Sequence, residues 1–267
     1  MEYAEYPQPE GTEHVVRCLW SLRAGSGIKP DAPALPDGCP ELVLNFGDPC
    51  RAIGPNGRLS SQPPYALVGQ ITRPFLVSPT GSLDLIGVRF TPTGAARLHQ
   101  PMSDLTDTWT DAWRLPHARE LLSAVAAAPD GGDRLTLVRA ALSKLPVTGL
   151  PVDARVERAV AHIERTHGSA PIEEVAASSA TTPRHLQRLF KRFVGITPKL
   201  LARMRRFQRV FAAWRDEPDS WAAVAIGCGY SDQAHLIRDF GELGGAPPAG
   251  LVAAIPEFTR QFTALRT

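Results

Sequence analysis

The sequence predicts an α+β protein. Its N-terminal half reads as a small β-barrel-like domain with helices, and its C-terminal half as an all-α domain with two helix-turn-helix motifs joined by a long helix. Three observations predict this. The first 115 residues break into short apolar runs separated by Pro and Gly, which is strand grammar. Beyond residue 152 apolar residues recur at helical spacing nearly to the end, as amphipathic helices require. One pattern also occurs twice there, fifty residues apart: HLQRLFKRFVGITPKLL at 185–201 and HLIRDFGELGGAPPAGL at 235–251. Seven positions match without gaps: His185/His235, Leu186/Leu236, Arg188/Arg238, Phe190/Phe240, Gly195/Gly245, Pro198/Pro248 and Leu201/Leu251. Such an offset marks a duplicated supersecondary unit.

With 267 residues the chain is long enough for two domains, each expected to have its own core. The apolar share of 43% and charged share of 21% are those of a soluble globular protein. No run of 18 apolar residues occurs, so no membrane span is expected. The acidic opening MEYAEYPQPEGTEH does not read as a signal peptide. The expected location is the cytoplasm, with Cys18, Cys39, Cys50 and Cys228 as reduced thiols. His14 and Cys18, four apart, could share a helix face as ligands, but a buried thiol beside a surface histidine is the favoured reading.

Charge is uneven. Residues 1–150 carry 13 Lys/Arg against 15 Asp/Glu, a net of −2, and residues 151–267 carry 16 against 12, a net of +4. Residues 181–215 hold ten Lys/Arg and no acid. A one-signed run on helices is the footprint of a polyanion binder.

In the N-terminal half the strand candidates are ELVLNFG (41–47), YALVGQI (65–71), PFLVSP (74–79) and LDLIGVRF (83–90). A short helix is expected at 94–100, then longer ones at 117–128 and 133–145. Residues 146–152, PVTGLPV, read as a linker. The expected domains are therefore 1–146 and 152–256. Trp20, Trp109 and Trp113 offer flat walls for an effector pocket, although plain packing is the favoured reading. No H-x-H pair, G-x-S-x-G elbow, P-loop or dinucleotide fingerprint is present. No catalytic residue, metal or cofactor is expected, and the chain is not read as an enzyme.

The C-terminal half opens with a helix at 152–168, which Gly168 can end in the left-handed conformation. PIEEVAASS (171–179) is a short helix, with Pro171 suited to its first turn. Thr182 then Pro183 is a strong second start, a hydroxyl cap followed by a preset φ. That helix runs to about Val194, with Leu186, Leu189, Phe190 and Phe193 inward. Arg184, His185, Gln187, Arg188, Lys191 and Arg192 lie on its other side. Arg and Gln can pair with base edges while outer cations neutralise phosphates. A long helix over 198–217 follows, with a seam of Leu200, Met204, Phe207, Phe211 and Trp214. In the second unit, 220–240, Asp219 or Ser220 caps a short helix and Gly229 sits in the turn. Ser231 is expected to cap the second helix, Leu236, Ile237 and Phe240 to face inward, and Gln233, Ala234, His235 and Arg238 outward.

Residues 152–256 resemble, along their whole length, the DNA-binding domain of AraC/XylS-type transcriptional regulators. TPRHLQRLFKRFVGITPKLL, AIGCGYSDQAHLIRDF and the helix between them carry the resemblance. It implies seven helices, with base-reading helices in Thr182–Phe193 and Ser231–Phe240. DNA contact is carried over to Arg184, His185, Gln187, Arg188, Lys191 and Arg192, and to Ser231, Gln233, His235 and Arg238. Three departures stand out: a polar first turn at Ser179-Ala180-Thr181, Gly241 and Glu242 after Phe240, and Asp232 and Asp239 against the single Arg238. They predict weaker phosphate contact by the second unit. PDGCPELVLNFGDP (36–49) and GVRFTPTGAARL (87–98) resemble the regulatory domain of a subset of these regulators. The expected partners are double-stranded promoter DNA and a small-molecule effector, with a homodimer and RNA polymerase as further candidates. A constitutive regulator whose first half only dimerises is the alternative.

Overall fold

The computed structural model describes residues 1–27, 33–53, 59–128, 133–214 and 220–254. The strands are β1 (Glu2–Pro7), β2 (Val16–Ala24), β3 (Glu41–Asn45), β4 (Cys50–Ile53), β5 (Leu59–Ser61), β6 (Tyr65–Val68), β7 (Leu76–Pro79), β8 (Leu83–Phe90) and β9 (Trp109–Asp111). Six form an antiparallel sheet in the order β1-β2-β8-β3-β6-β9, and three a second sheet, β5-β4-β7. Successive side chains of a strand point to opposite faces, and this divides the interior. Leu19, Leu42, Leu44, Ile86, Val88 and Phe90 enter the main core on one face of the large sheet. Trp20, Leu22, Leu83 and Leu85 leave the other face and meet Cys50 and Val77 of the small sheet in a second, smaller core. Gly87 lets that core close, since a Cβ there would lie 1.9 Å from the Trp20 indole.

Cys18 lies in β2, so the helix face proposed for His14 and Cys18 does not form. The helix expected at 94–100 shortens to one 3-10 turn, Gly94–Arg97, and a second turn spans Met102–Leu105. Helices α1 (Arg119–Ala126) and α2 (Arg134–Leu142) follow. A helical turn, α3 (Leu145–Thr148), runs from the end of the helix expected at 133–145 into the expected linker, and a proline is tolerated in such a first turn.

The helical half comprises α4 (Ala154–Arg165), α5 (Ile172–Ser178), α6 (Pro183–Phe193), α7 (Pro198–Trp214), α8 (Trp221–Gly227), α9 (Gln233–Gly244) and α10 (Pro248–Ala254). Among the described residues these are the seven helices that the resemblance implies. Gly168 ends α4 with φ +74°, and a Cβ there would lie 2.0 Å from the Ala202 carbonyl oxygen. Only glycine satisfies both the conformation and the close approach of α7. Phe207 and Phe211 of α7 pack on Phe240 of α9 at centroid distances of 4.6 and 5.6 Å. Trp214 stacks on Trp221 at 4.0 Å and fixes the start of α8 against the end of α7.

The expectation of a separate core in each half is corrected. The main cluster of buried apolar residues is contiguous from Leu19 and Val88 through Met102 and Leu105 to Phe190, Phe207 and Phe240. The Met102–Leu105 turn packs on α6, and Thr106 donates to the Gly195 carbonyl at 2.8 Å. Among the described residues no helix is long and apolar enough to cross a membrane.

Candidate nucleic-acid interface

The first unit is α5, a tight turn and α6. Thr181 N–H reaches back to the Ala176 carbonyl at 3.1 Å, and Ala180 takes φ 52° in the turn. A left-handed alanine is uncommon, and the surrounding contacts hold it there without glycine. Thr182 caps α6 by accepting from His185 N–H at 3.3 Å, with Pro183 in the first turn as its sequence predicts. Leu186, Phe190 and Phe193 are buried, whereas Arg184, Gln187, Arg188, Lys191 and Arg192 are exposed.

The second unit repeats this with one change. α8 begins 49 residues after α5, but α9 begins 50 residues after α6. Its turn is one residue longer, and the cap moves accordingly. Asp232, not the expected Ser231, accepts from His235 N–H at 2.7 Å. That amide holds the Asp232 carboxyl below its ordinary range. Ser231 instead bonds Asp232 at 3.1 Å and His235 Nδ1 at 3.2 Å. Gly229 supplies the turn with φ +83°, and Ser220 caps α8 as expected; Asp219 lies outside the described residues. Ile237, expected inward, is 43% exposed, because the inward arc is filled by Leu236, Asp239, Phe240 and Leu243.

Residues 175–253 match a family model described as a helix-turn-helix domain, and residues 5–111 match one described as a domain of unknown function. No curated protein matches the sequence. Among solved structures the chain is similar to ToxT from Vibrio cholerae, at 8% identity and TM-score 0.50 over 89% of this chain and 98% of that one. A second ToxT structure, from strain O395 and bound to (E)-4-(8-methylnaphthalen-1-yl)but-3-enoic acid, matches at 8% identity and TM-score 0.50, over 96% and 100%. Residues 175–253 are a helix-turn-helix domain.

Within the helical half the basic run of 181–215 divides in two. Arg203 pairs with Asp239 at 2.8 Å and with Glu242. Arg206 donates to the Gly168 carbonyl and lies over the Tyr230 ring. Arg205, 2% exposed, bonds Glu164 at 2.9 Å. These three α7 arginines are structural. Their acids arrive from distant turns of the chain, so the sequence run overstates the basic surface. The same pairs correct the reading of Asp239, which is 3% exposed and neutralised by α7 instead of opposing Arg238.

The candidate contact residues of the two helix-turn-helix units are also placed unequally. Arg184, Gln187, Arg188 and Lys191 share the open face of α6. Arg192 is exposed but its Nε donates to Gln100 Oε1 of the N-terminal half at 3.2 Å. His185 is half-buried and its Nδ1 accepts from Arg188 at 2.8 Å; an arginine has no acceptor, which fixes that direction. His235 is half-buried as well, edge-on to Tyr230 at 5.1 Å. Ser231 and Gln233 are exposed at the start of α9 and Arg238 is exposed at its middle. Sequence reasoning missed Ile237 as part of this open face, although the fifty-residue offset aligns it with Gln187.

Proposed function

We propose that the chain is a sequence-specific transcription regulator whose N-terminal domain, about 1–146, binds a small-molecule effector that controls DNA binding by residues 152–256. In the first unit Arg184, Gln187, Arg188 and Lys191 make the principal contacts, Arg192 adds phosphate contact, and His185 positions Arg188. In the second, Gln233 and Arg238 contact DNA, while Ser231 and His235 shape the start of α9. RNA polymerase and a second copy of the chain are the further partners of this reading.

The observation that carries effector control is the polar connection between the halves. Arg205 donates to the Asp37 carbonyl at 2.8 Å, and Gln208, one turn on, donates to the Pro36 carbonyl at 2.6 Å. Asp37 in turn pairs with Arg89 at 3.5 Å, and Arg89 with Glu41 at 2.9 Å. Glu41 shares its face of the large sheet with Val43, at the margin of the Trp20 core, and accepts from Trp20 Nε1 at 3.3 Å. A ligand entering there would act on the segment that grips the helix joining the two reading units. The bound acid in one ToxT structure supports looking first among small carboxylic acids.

The test uses the full chain. Duplexes selected from a random pool should share a sequence, and a compound that raises the melting temperature of the chain should change its affinity for them. A stabilising ligand acting on the folded state raises that temperature by mass action. Stabilising compounds that leave DNA affinity untouched would reduce the N-terminal domain to a scaffold.

A further inference from the structure

α9 presents an open face unlike that of α6. At about 100° per residue, Gln233, Ile237, Gly241, Ala234 and Arg238 fall in that order across one arc of about 140°. All five are exposed. Leu236, Asp239, Phe240 and Leu243 occupy the opposite arc and are buried. The fifty-residue offset pairs this arc with that of α6: Ala234 with Arg184, Ile237 with Gln187, Arg238 with Arg188 and Gly241 with Lys191. The middle of the first face is therefore Gln, Lys and Arg. The middle of the second is Ile, Gly and Ala, with Arg238 kept at one edge and Gln233 at the other. A Cβ on Gly241 would meet nothing within 4 Å, so no internal packing demands a glycine there.

Folding does not account for Ile237, which is 43% exposed between two polar flanks. On the floor of the major groove the one apolar group is the thymine 5-methyl. We propose that Ile237, with Ala234 beside it, reads thymine methyl groups, so that the second half-site is chosen by apolar contact where the first is chosen by hydrogen bonds. The inference rests on the DNA-binding reading of α9 and names what that helix selects. It also gives the second unit an energetic character of its own, with Arg238 as its cation and methyl burial supplying the selection.

The experiment takes a duplex selected by the full chain and replaces each thymine in turn by deoxyuridine, which lacks only the methyl. Fluorescence anisotropy should find one or two thymines in one half-site where the replacement weakens binding about four-fold per methyl. Ile237→Ser should bind the thymine duplex more weakly and lose that methyl sensitivity. Ile237→Gln, which installs the residue of the first unit, should shift the preferred base at that position toward adenine. Ile237 is solvent-facing, so circular dichroism should report unchanged helix content in both variants. Methyl insensitivity at every thymine overturns the proposal, as does full methyl sensitivity in Ile237→Ser. A wild-type chain that selects no duplex overturns the DNA-binding reading itself, which separates the two failures.

Discussion

Arg205 of α7 donates to the carbonyl oxygen of Asp37, 168 residues earlier in the chain, at 2.8 Å. It is 2% exposed, and its other partners are Glu164 and the Cys39 sulfur. Glu164 is shared with Arg17 of β2. Both halves thus converge on one guanidinium in the helix that spaces the two reading units. Its fork geometry matters, because a lysine could satisfy one of these partners but not several at once.

Arg205→Ala should destabilise the chain by about 2–4 kcal/mol, since it opens a cavity beneath a side chain only 2% exposed, removes the donor of the Asp37 carbonyl and leaves half-buried Glu164 with Arg17 alone. Urea denaturation measures it. Arg205→Lys should recover less than half of the loss. Wild-type stability in both variants would show that the connection between the halves does not depend on this side chain.

Gly168→Ala should cost about 3 kcal/mol or more, because the new methyl meets backbone, which cannot swing aside, at a positive φ. Gly241→Ala, in open space on a helix, should instead be neutral or stabilising by about 0.5–1 kcal/mol. Thermal melts of the pair separate a glycine that the fold requires from one that it does not.

Arg184→Ala and Arg188→Ala should each weaken binding to a selected duplex by about 1–3 kcal/mol with melting temperature unchanged. Wild-type affinity should fall steeply with salt as counterions are released. Arg203→Ala should behave oppositely, lowering stability through the loss of Asp239's partner. If Arg203→Ala reduced the salt slope without destabilising the fold, α7 would belong to the DNA surface.

Asp232→Ala should lower stability while Ser231→Ala leaves it nearly unchanged, because only Asp232 accepts from the α9 backbone. Asp153, the cap of α4, gives a pH signature. Its side-chain bonds from Arg155, followed by the Arg155 amide, hold its carboxyl down to about 2 against an ordinary 3.8. A depressed folded value means the contribution is complete above about 4 and is lost as pH falls toward about 2. Asp153→Asn should flatten that segment of the stability profile. An unchanged slope there would remove Asp153 from the acid transition.

The sequence by itself determined the helix order of the C-terminal half, its first caps and its turn glycines. Thr182, Pro183, Ser220 and Gly229 act within a few residues of themselves, as does Gly168 through its backbone conformation, so their signals are local and readable. In the N-terminal half β3, β6, β7 and β8 were legible as apolar runs bounded by turn residues, whereas β1, β2, β4, β5 and β9 were not named from the sequence. Tertiary structure alone decided which of the basic residues remain on the surface. Arg203 finds Asp239 36 residues away and Arg205 finds Glu164 at 41, and no local rule pairs charges over such distances. It also merged the main cores of the two halves into one and added a residue to the second turn. That added residue moved the cap to Asp232, and packing of Leu236, Asp239, Phe240 and Leu243 then left Ile237 outside. Burial is a property of how helices meet, and a helical repeat read from the chain gives the arcs but not which arc meets a neighbour.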